Sequence, residues 1–177
     1  MWITEVIYNK VMSNASKKNP EKIMVFGVFD GLHPGHLNFF RQARALARRP
    51  YLVVSVARDR NVIRLKERKP NLGEKKRMAL LKKCKLAEKV VLSGIKNHLP
   101  HILKIKPDII ALGYDQKAYV RNLKKDLKNK GLLVRIIRLK PYKKNIYKSS
   151  LLQRTSFSRS VIQSPTRRTA PKTKKRY

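Results

Sequence analysis

The sequence predicts an α/β fold, with a parallel sheet of about five strands carrying helices on both faces and a disordered basic tail behind it. Three observations support that expectation. From Glu21 to about Arg154, short β-branched apolar runs alternate with segments of helical period, the pattern of β-α-β units. The apolar runs are nearly continuous rather than alternating, as in strands covered on both faces. The first run enters a glycine-punctuated turn that opens a helix. With 177 residues, 42% of them hydrophobic, the chain has the length of one domain and enough apolar material for its core.

The elements follow in order. Residues 1–20 form an N-terminal extension, with Ile3, Val6, Ile7 and Val11 at amphipathic-helix spacing and a polar linker from Ser13 to Pro20. Strands are expected at 23–29, 51–57, 89–92, 108–112 and 132–137. Helices are expected from near Gly35, across 74–83, around 98–105 and across 116–129, the last ended by Gly131 as a C-terminal cap. This domain is assigned residues 21–154. Residues 155–177 mix Ser, Thr, Pro, Arg and Lys with almost no apolar material; such a segment cannot offset its ordering entropy and is expected to be disordered.

Charge narrows the partners. Lys and Arg number 44 against 10 for Asp and Glu, a formal charge of +34, and from Lys128 onward there are sixteen cations and no acid. Acidic substrates or polyanionic partners are expected, and the basic tail is expected to contact RNA without sequence specificity. No run approaches the roughly 18 apolar residues of a membrane span. The first residues also include Glu5, Asn9 and Lys10 where a signal peptide needs an apolar stretch, so a cytoplasmic protein is expected. The single cysteine, Cys84, excludes an internal disulfide framework and reads as a small core residue.

The chemistry is concentrated in Lys22-Ile-Met-Val-Phe-Gly-Val-Phe-Asp-Gly-Leu-His-Pro-Gly-His36. In a parallel sheet, the turn after a strand points backbone N–H groups and the positive end of the next helix into the crevice where ligands bind, and phosphate is the natural guest. Gly27, Gly31 and Gly35 permit close approach or positive φ, and Pro34 stiffens the turn between His33 and His36 so that both rings face one phosphate. Two histidines are too few for a metal site, and none is assigned. His98 and His101 flank Leu99-Pro100 without a strand or glycines and read as a surface pair. Asp30 reads as a brace of the turn.

Gly27-Val-Phe-Asp-Gly-Leu-His-Pro-Gly-His36 resembles the Gly-x-Phe-Asp-x-x-His-x-Gly-His motif of the cytidylyltransferase-like nucleotidyltransferases, which have a Rossmann-like sheet and whose two histidines contact nucleotide phosphates. The resemblance extends over roughly residues 22–152. Val56-Ala-Arg-Asp-Arg-Asn-Val62, with Lys66, Lys69-Pro70 and Arg77, looks like the basic loop near the second substrate. Leu112-Gly-Tyr-Asp-Gln116 looks like a nucleotide-binding turn, and Tyr147-Lys-Ser-Ser-Leu151 like the hydroxyl-rich motif that holds outer phosphates. The Gly-Tyr-Asp-Gln turn and the Lys-Ser-Ser run are closer to archaeal-type FAD synthases, which adenylylate FMN, than to glycerol-3-phosphate cytidylyltransferases.

That resemblance implies an in-line nucleotidyl transfer from a nucleoside triphosphate, carried with Mg²⁺ or another divalent cation, to a phosphorylated small molecule, with pyrophosphate leaving. It places His33, His36 and Lys148 at the reacting phosphates. Val28, Phe29, Pro34, Gly35, Asp115, Lys143, Ser149 and Ser150 are placed along the nucleotide, and Lys66 and Arg77 on the acceptor. Tyr114 reads either as a stacking surface or as packing. Relatives are often dimers, so a homodimer fits the resemblance. The alternatives are a cytidylyltransferase acting on a phosphorylated alcohol, and a basic nucleic-acid-binding protein with a degenerate site.

Overall fold

A computed structural model of the chain describes residues 19–95, 98–116, 122–143 and 146. Residues 1–18 of the extension, the tail, and the expected phosphate-holding Lys148, Ser149 and Ser150 lie outside the described residues. Ten elements run in the order β1 (Glu21–Gly27), α1 (Pro34–Arg44), β2 (Pro50–Val56), α2 (Asp59–Lys66), α3 (Glu74–Lys83), β3 (Lys89–Leu92), α4 (Leu99–Ile105), β4 (Ile109–Leu112), α5 (Leu123–Asn129) and β5 (Arg135–Arg138). No helix among the described residues is long and apolar enough to cross a membrane.

The strands form one parallel sheet in the order β3-β2-β1-β4-β5, with Val25 of β1 in register with Val54 of β2 and Ala111 of β4. Alternate side chains of β1 feed two separate cores. Ile23 and Val25 pack with Phe40 and Ala43 of α1 and Leu81 of α3. Met24 packs on the other face with Ile102 of α4 and Leu123 and Leu127 of α5. All of these are buried, so both faces are covered and the continuous apolar strand runs are explained. Chain order reverses between β1 and β4, and a crevice for ligands therefore opens beyond their carboxyl ends.

Local chemistry sets most boundaries. Pro34 begins α1 at a position that needs no N–H, behind His33 in an extended conformation. Gly131, at φ 72°, ends α5 as expected: its N–H bonds the Lys128 carbonyl and the Leu132 N–H bonds Leu127, both at 2.9 Å, a Schellman pair. Of the expected helix across 116–129, residues 123–129 are observed helical and 117–121 lie outside the described residues.

Two departures matter for the site. Strand β1 stops at Gly27 rather than Phe29, because Phe29 turns to φ 53° and folds its ring back over Gly27. A Cβ on Gly27 would lie 2.6 Å from the Phe29 Cζ atom, so only glycine leaves room for that ring. The expected basic loop after β2 contains the helix α2, which buries Asn61 and Val62.

Arg77, expected on the acceptor, is fully buried in α3. Its guanidinium donates to the carbonyls of Leu72 at 2.9 Å, Ala57 at 2.8 Å and Val28, and to the Asp59 carboxylate. A charge so deep is tolerated because its donors meet acceptors. It knits the turns behind the crevice and is not brought to the cavity surface.

Candidate active site

The carboxyl ends of β1, β2 and β4 frame a cavity of about 530 Å³. Its first wall comes from the β1–α1 turn. The His33 and His36 rings stack with centroids 3.8 Å apart and planes 26° apart, and His36 meets the edge of Phe29 at 5.2 Å. Phe29 in turn rests on Phe40 of the core, so a continuous aromatic column fixes the pair. Both imidazoles line the cavity.

The electrostatics of that pair follow from burial. Desolvation lowers the His33 pKa below its ordinary value. His36 is pushed down to about 3, first by desolvation and then by His33 and Lys66, against a hydrogen bond to the Gly31 backbone that works the other way. At neutral pH the pair is therefore uncharged, and the buried His36 Nδ1 has no hydrogen-bond partner among the described residues. Neutral imidazoles facing a cavity avoid the desolvation cost of buried cations, and an approaching anion favours a proton on the His36 nitrogen that has no partner, which then donates to it.

The second wall is cationic. Lys66 closes α2, and Arg68, Lys69 and Pro70 follow it into the cavity lining. This loop is held from below by Asp30, whose carboxylate accepts the Asn71 N–H at 2.7 Å and the Leu72 N–H at 2.8 Å. Asp30 thus braces a loop some forty residues away, and it also lines the cavity.

The third wall is the turn after β4, where Gly113, Tyr114, Asp115 and Gln116 all line the cavity. Gln116 closes the turn with its own side chain: Oε1 accepts the Gly113 N–H at 3.0 Å, and Nε2 donates to the Phe26 carbonyl of β1 at 2.7 Å. Arg138 of β5 reaches the same turn from the opposite side.

The structure thus brings His33, His36, Val28, Phe29, Gly35, Asp115 and Lys66 together around one cavity. Pro34 begins α1 beside it but is not among the lining residues. Lys143, expected to face phosphate, is exposed and places its Nζ 5.7 Å over the Tyr142 ring, while Lys140, Pro141 and Tyr142 form the lining there.

His98 and His101 do not form the expected surface pair. His98 lines the cavity and sets its ring edge-on to Phe26 at 6.1 Å, whereas the His101 Nε2 lies 3.0 Å from the hydroxyl of the buried Ser55. Arg138 and His98 are the residues that sequence reasoning missed, and Gln116, named within its turn, was not foreseen as the side chain that closes it. Their signal was three-dimensional, because each contacts a strand or turn remote in sequence.

Comparison with known proteins agrees with this geometry. Residues 24–156 match the family described as Cytidylyltransferase-like. An FAD synthase of Korarchaeum cryptofilum is 44% identical over 119 residues, covering 67% of this chain and 80% of the relative. One from Aciduliprofundum boonei is 40% identical over 121 residues, covering 68% and 79%. Among solved structures, the lipopolysaccharide core biosynthesis protein from Thermoplasma volcanium superposes with a TM-score of 0.65 at 34% identity, covering 71% of this chain and all of that one. A parallel sheet with a crevice at its switch point, a histidine pair stacked there and these matches lead to one conclusion: the chain belongs to the cytidylyltransferase-like family.

Proposed function

We propose that the protein is an FMN adenylyltransferase, an FAD synthase that moves AMP from ATP to the phosphate of FMN and releases pyrophosphate. The observation that carries the choice of acceptor is the composition of the cavity rim. Leu65, Tyr114 and Tyr142 are exposed large hydrophobic residues that line the opening, and Lys66, Arg68 and Lys69 stand in the same lining. A planar apolar ring system bearing a phosphate uses both sets. A small phosphorylated alcohol uses only the cations and leaves the apolar rim in water. The FAD synthases among the relatives support the same choice.

In the transfer, an oxygen of the FMN phosphate attacks the α-phosphorus of ATP in line. The new P–O bond forms as the bond to the β-phosphate oxygen breaks, and the electron pair leaves with pyrophosphate. His33 and His36 donate to the α-phosphate oxygens as charge shifts during the exchange, and Gly35 presents the helix-start amide beside them. Here Pro34 has no N–H and the His36 N–H is spent on the His33 carbonyl at 2.9 Å. Val28 and Phe29 line the nucleotide, Asp115 reaches its ribose or base, and Lys66 draws the acceptor phosphate. Lys148, Ser149 and Ser150 hold the outer phosphates.

The divalent cation belongs to the substrate, as the metal–nucleotide complex. No group of three or more His, Cys, Asp or Glu that could hold a metal ion is present among the described residues, and an ion bound mainly by phosphate and water needs none.

Incubation with Mg²⁺, ATP and FMN is expected to release pyrophosphate and form FAD, measured by coupled phosphate assay and flavin chromatography. Release only with CTP and a phosphorylated alcohol would reassign the acceptor. No release with either pair would leave a nucleotide-like site without turnover.

A specific observation favours polyanion contact as an addition to catalysis. Glu21, Asp59, Glu74 and Glu88 are each taken up in an ion pair with an arginine, and Asp30 and Asp108 accept backbone N–H groups. Six of the ten acids are thus engaged in holding the fold, and many of the surplus lysines face solvent.

A further inference from the structure

Arg138 is the last residue of the edge strand β5, and its guanidinium does not seek a carboxylate. Nη1 donates to the Gly113 carbonyl at 2.7 Å and to Tyr114 at 3.3 Å, and Nη2 donates to the Gln116 carbonyl at 3.0 Å. All three acceptors belong to the one turn that carries Asp115 into the cavity, and the Asp115 carbonyl is the one Arg138 passes over. In the same stretch the Leu139 N–H bonds the Leu112 carbonyl at 2.8 Å, so the backbone of β5 runs alongside the turn it clamps.

We propose that Arg138 is a positioning residue for nucleotide binding: it fixes the Gly113–Gln116 turn so that Tyr114 and Asp115 present side chains, not carbonyl oxygens, to the bound nucleotide. The inference rests on the proposed placement of the nucleotide against this turn.

The physical reason is a two-sided hold. From β1, Gln116 anchors the turn through the Phe26 carbonyl and the Gly113 N–H. From β5, the planar fork of Arg138 gathers three carbonyls, of which Gly113 also accepts the Gln116 N–H at 3.3 Å, and holds them against β5 rather than toward the bound nucleotide. Charge-assisted hydrogen bonds to three oxygens from one rigid group restrict the turn more than three separate neutral donors would, because the donors share one geometry. Ordering the turn before the ligand arrives lowers the entropy lost on binding, so the effect belongs in nucleotide affinity rather than in the bond-exchange step. A lysine offers a point charge in place of a fork, holds fewer of these carbonyls at once, and recovers part of the effect.

The test is steady-state kinetics of the full chain with saturating FMN. Arg138→Ala is expected to raise KM for ATP by about tenfold with kcat within about twofold of the parent, since loss of uniform binding moves KM alone. KM for FMN should stay unchanged, and Arg138→Lys should fall between. A residue with only a structural role would lower the melting temperature and the active fraction, and so kcat, while leaving KM for ATP in place. A folded Arg138→Ala protein with unaltered KM for ATP overturns the proposal. Where that variant fails to fold, Arg138→Lys is read the same way, and an unaltered KM there overturns it too. Should the parent use CTP and a phosphorylated alcohol instead, the reading of the substrate fails, but the clamp is still decided by KM for CTP.

Discussion

His36 combines the two demands made on a phosphate-facing histidine: it must be rigid, and it must not carry a charge the empty cavity cannot solvate. The stack on His33 and the edge contact with Phe29 give the rigidity, and burial gives the neutrality. A proton balance follows. In the unfolded chain the ring binds its proton near its ordinary value of 6.5, whereas in the folded chain it does so only near about 3. Between those values the unfolded state holds more protons, so stability falls as pH drops through that window and is indifferent to this group above it. Desolvation lowers His33, His98 and His101 as well and adds to the same acid limb. His36→Asn is therefore expected to flatten the loss of melting temperature between pH 7 and pH 4.5 and to cut kcat by about a hundredfold, as loss of a charge-stabilising donor does. Thermal scans at both pH values with turnover at pH 7 check this. An unchanged acid limb would remove burial of this ring as its source, and an unchanged kcat would remove the ring from the reaction.

At the scale of elements, the frame under the site is the joint between α2 and α3. The N–H of Asp59 donates to the Glu74 carboxylate and the N–H of Glu74 to the Asp59 carboxylate, each at 3.0 Å, so each helix is capped by the first residue of the other. Arg77 locks the joint to the β1 turn and the end of β2. Replacing it by Met leaves three carbonyls without that donor and the Asp59 charge without its partner, a loss of about 3 kcal/mol by comparison with broken buried pairs. Arg77→Met should lower the melting temperature by roughly 10 °C for a domain of this size and raise KM for FMN through the loosened cationic loop. An unaltered melting temperature would show that the joint does not depend on Arg77. The same joint marks where the sequence was legible and where it was not. Helix Glu74–Lys83 and strand Lys89–Leu92 have the expected bounds, and Gly131 caps where its neighbours demanded, because each signal is local. Helix α2 escaped notice since its cap comes from Glu74, fifteen residues on, and it buries only Asn61 and Val62. Arg77 was expected on the acceptor because charge is visible in a sequence and surrounding carbonyls are not. The stacked pair was legible as two histidines around Pro34-Gly35 and Gln116 as part of its turn, whereas His98 and Arg138 reach the site only through the crossover that sets β4 beside β1.

Across the whole molecule, positive charge runs through the entire chain, and the last stretch carries it without any acid. The cavity lining runs from Phe26 to Tyr142, and the family match covers residues 24–156. Residues 155–177 add seven cations and no acid. Each cation that neutralises a phosphate releases a counterion and steepens the fall of affinity with salt, by about 0.9 in log–log slope on duplex DNA and about 0.7 on single strands. A protein shortened to residues 1–154 is therefore expected to bind a single-stranded RNA oligomer more weakly, with a slope shallower by several units if most tail cations make contact. Its rate of FAD formation at moderate salt should stay within about twofold of the full chain, because residues that make no contact with the reacting groups change neither kcat nor KM. The two readouts are independent. An identical salt slope would move polyanion contact onto the folded domain. A folded but inactive short form would place part of the phosphate-holding machinery beyond residue 154.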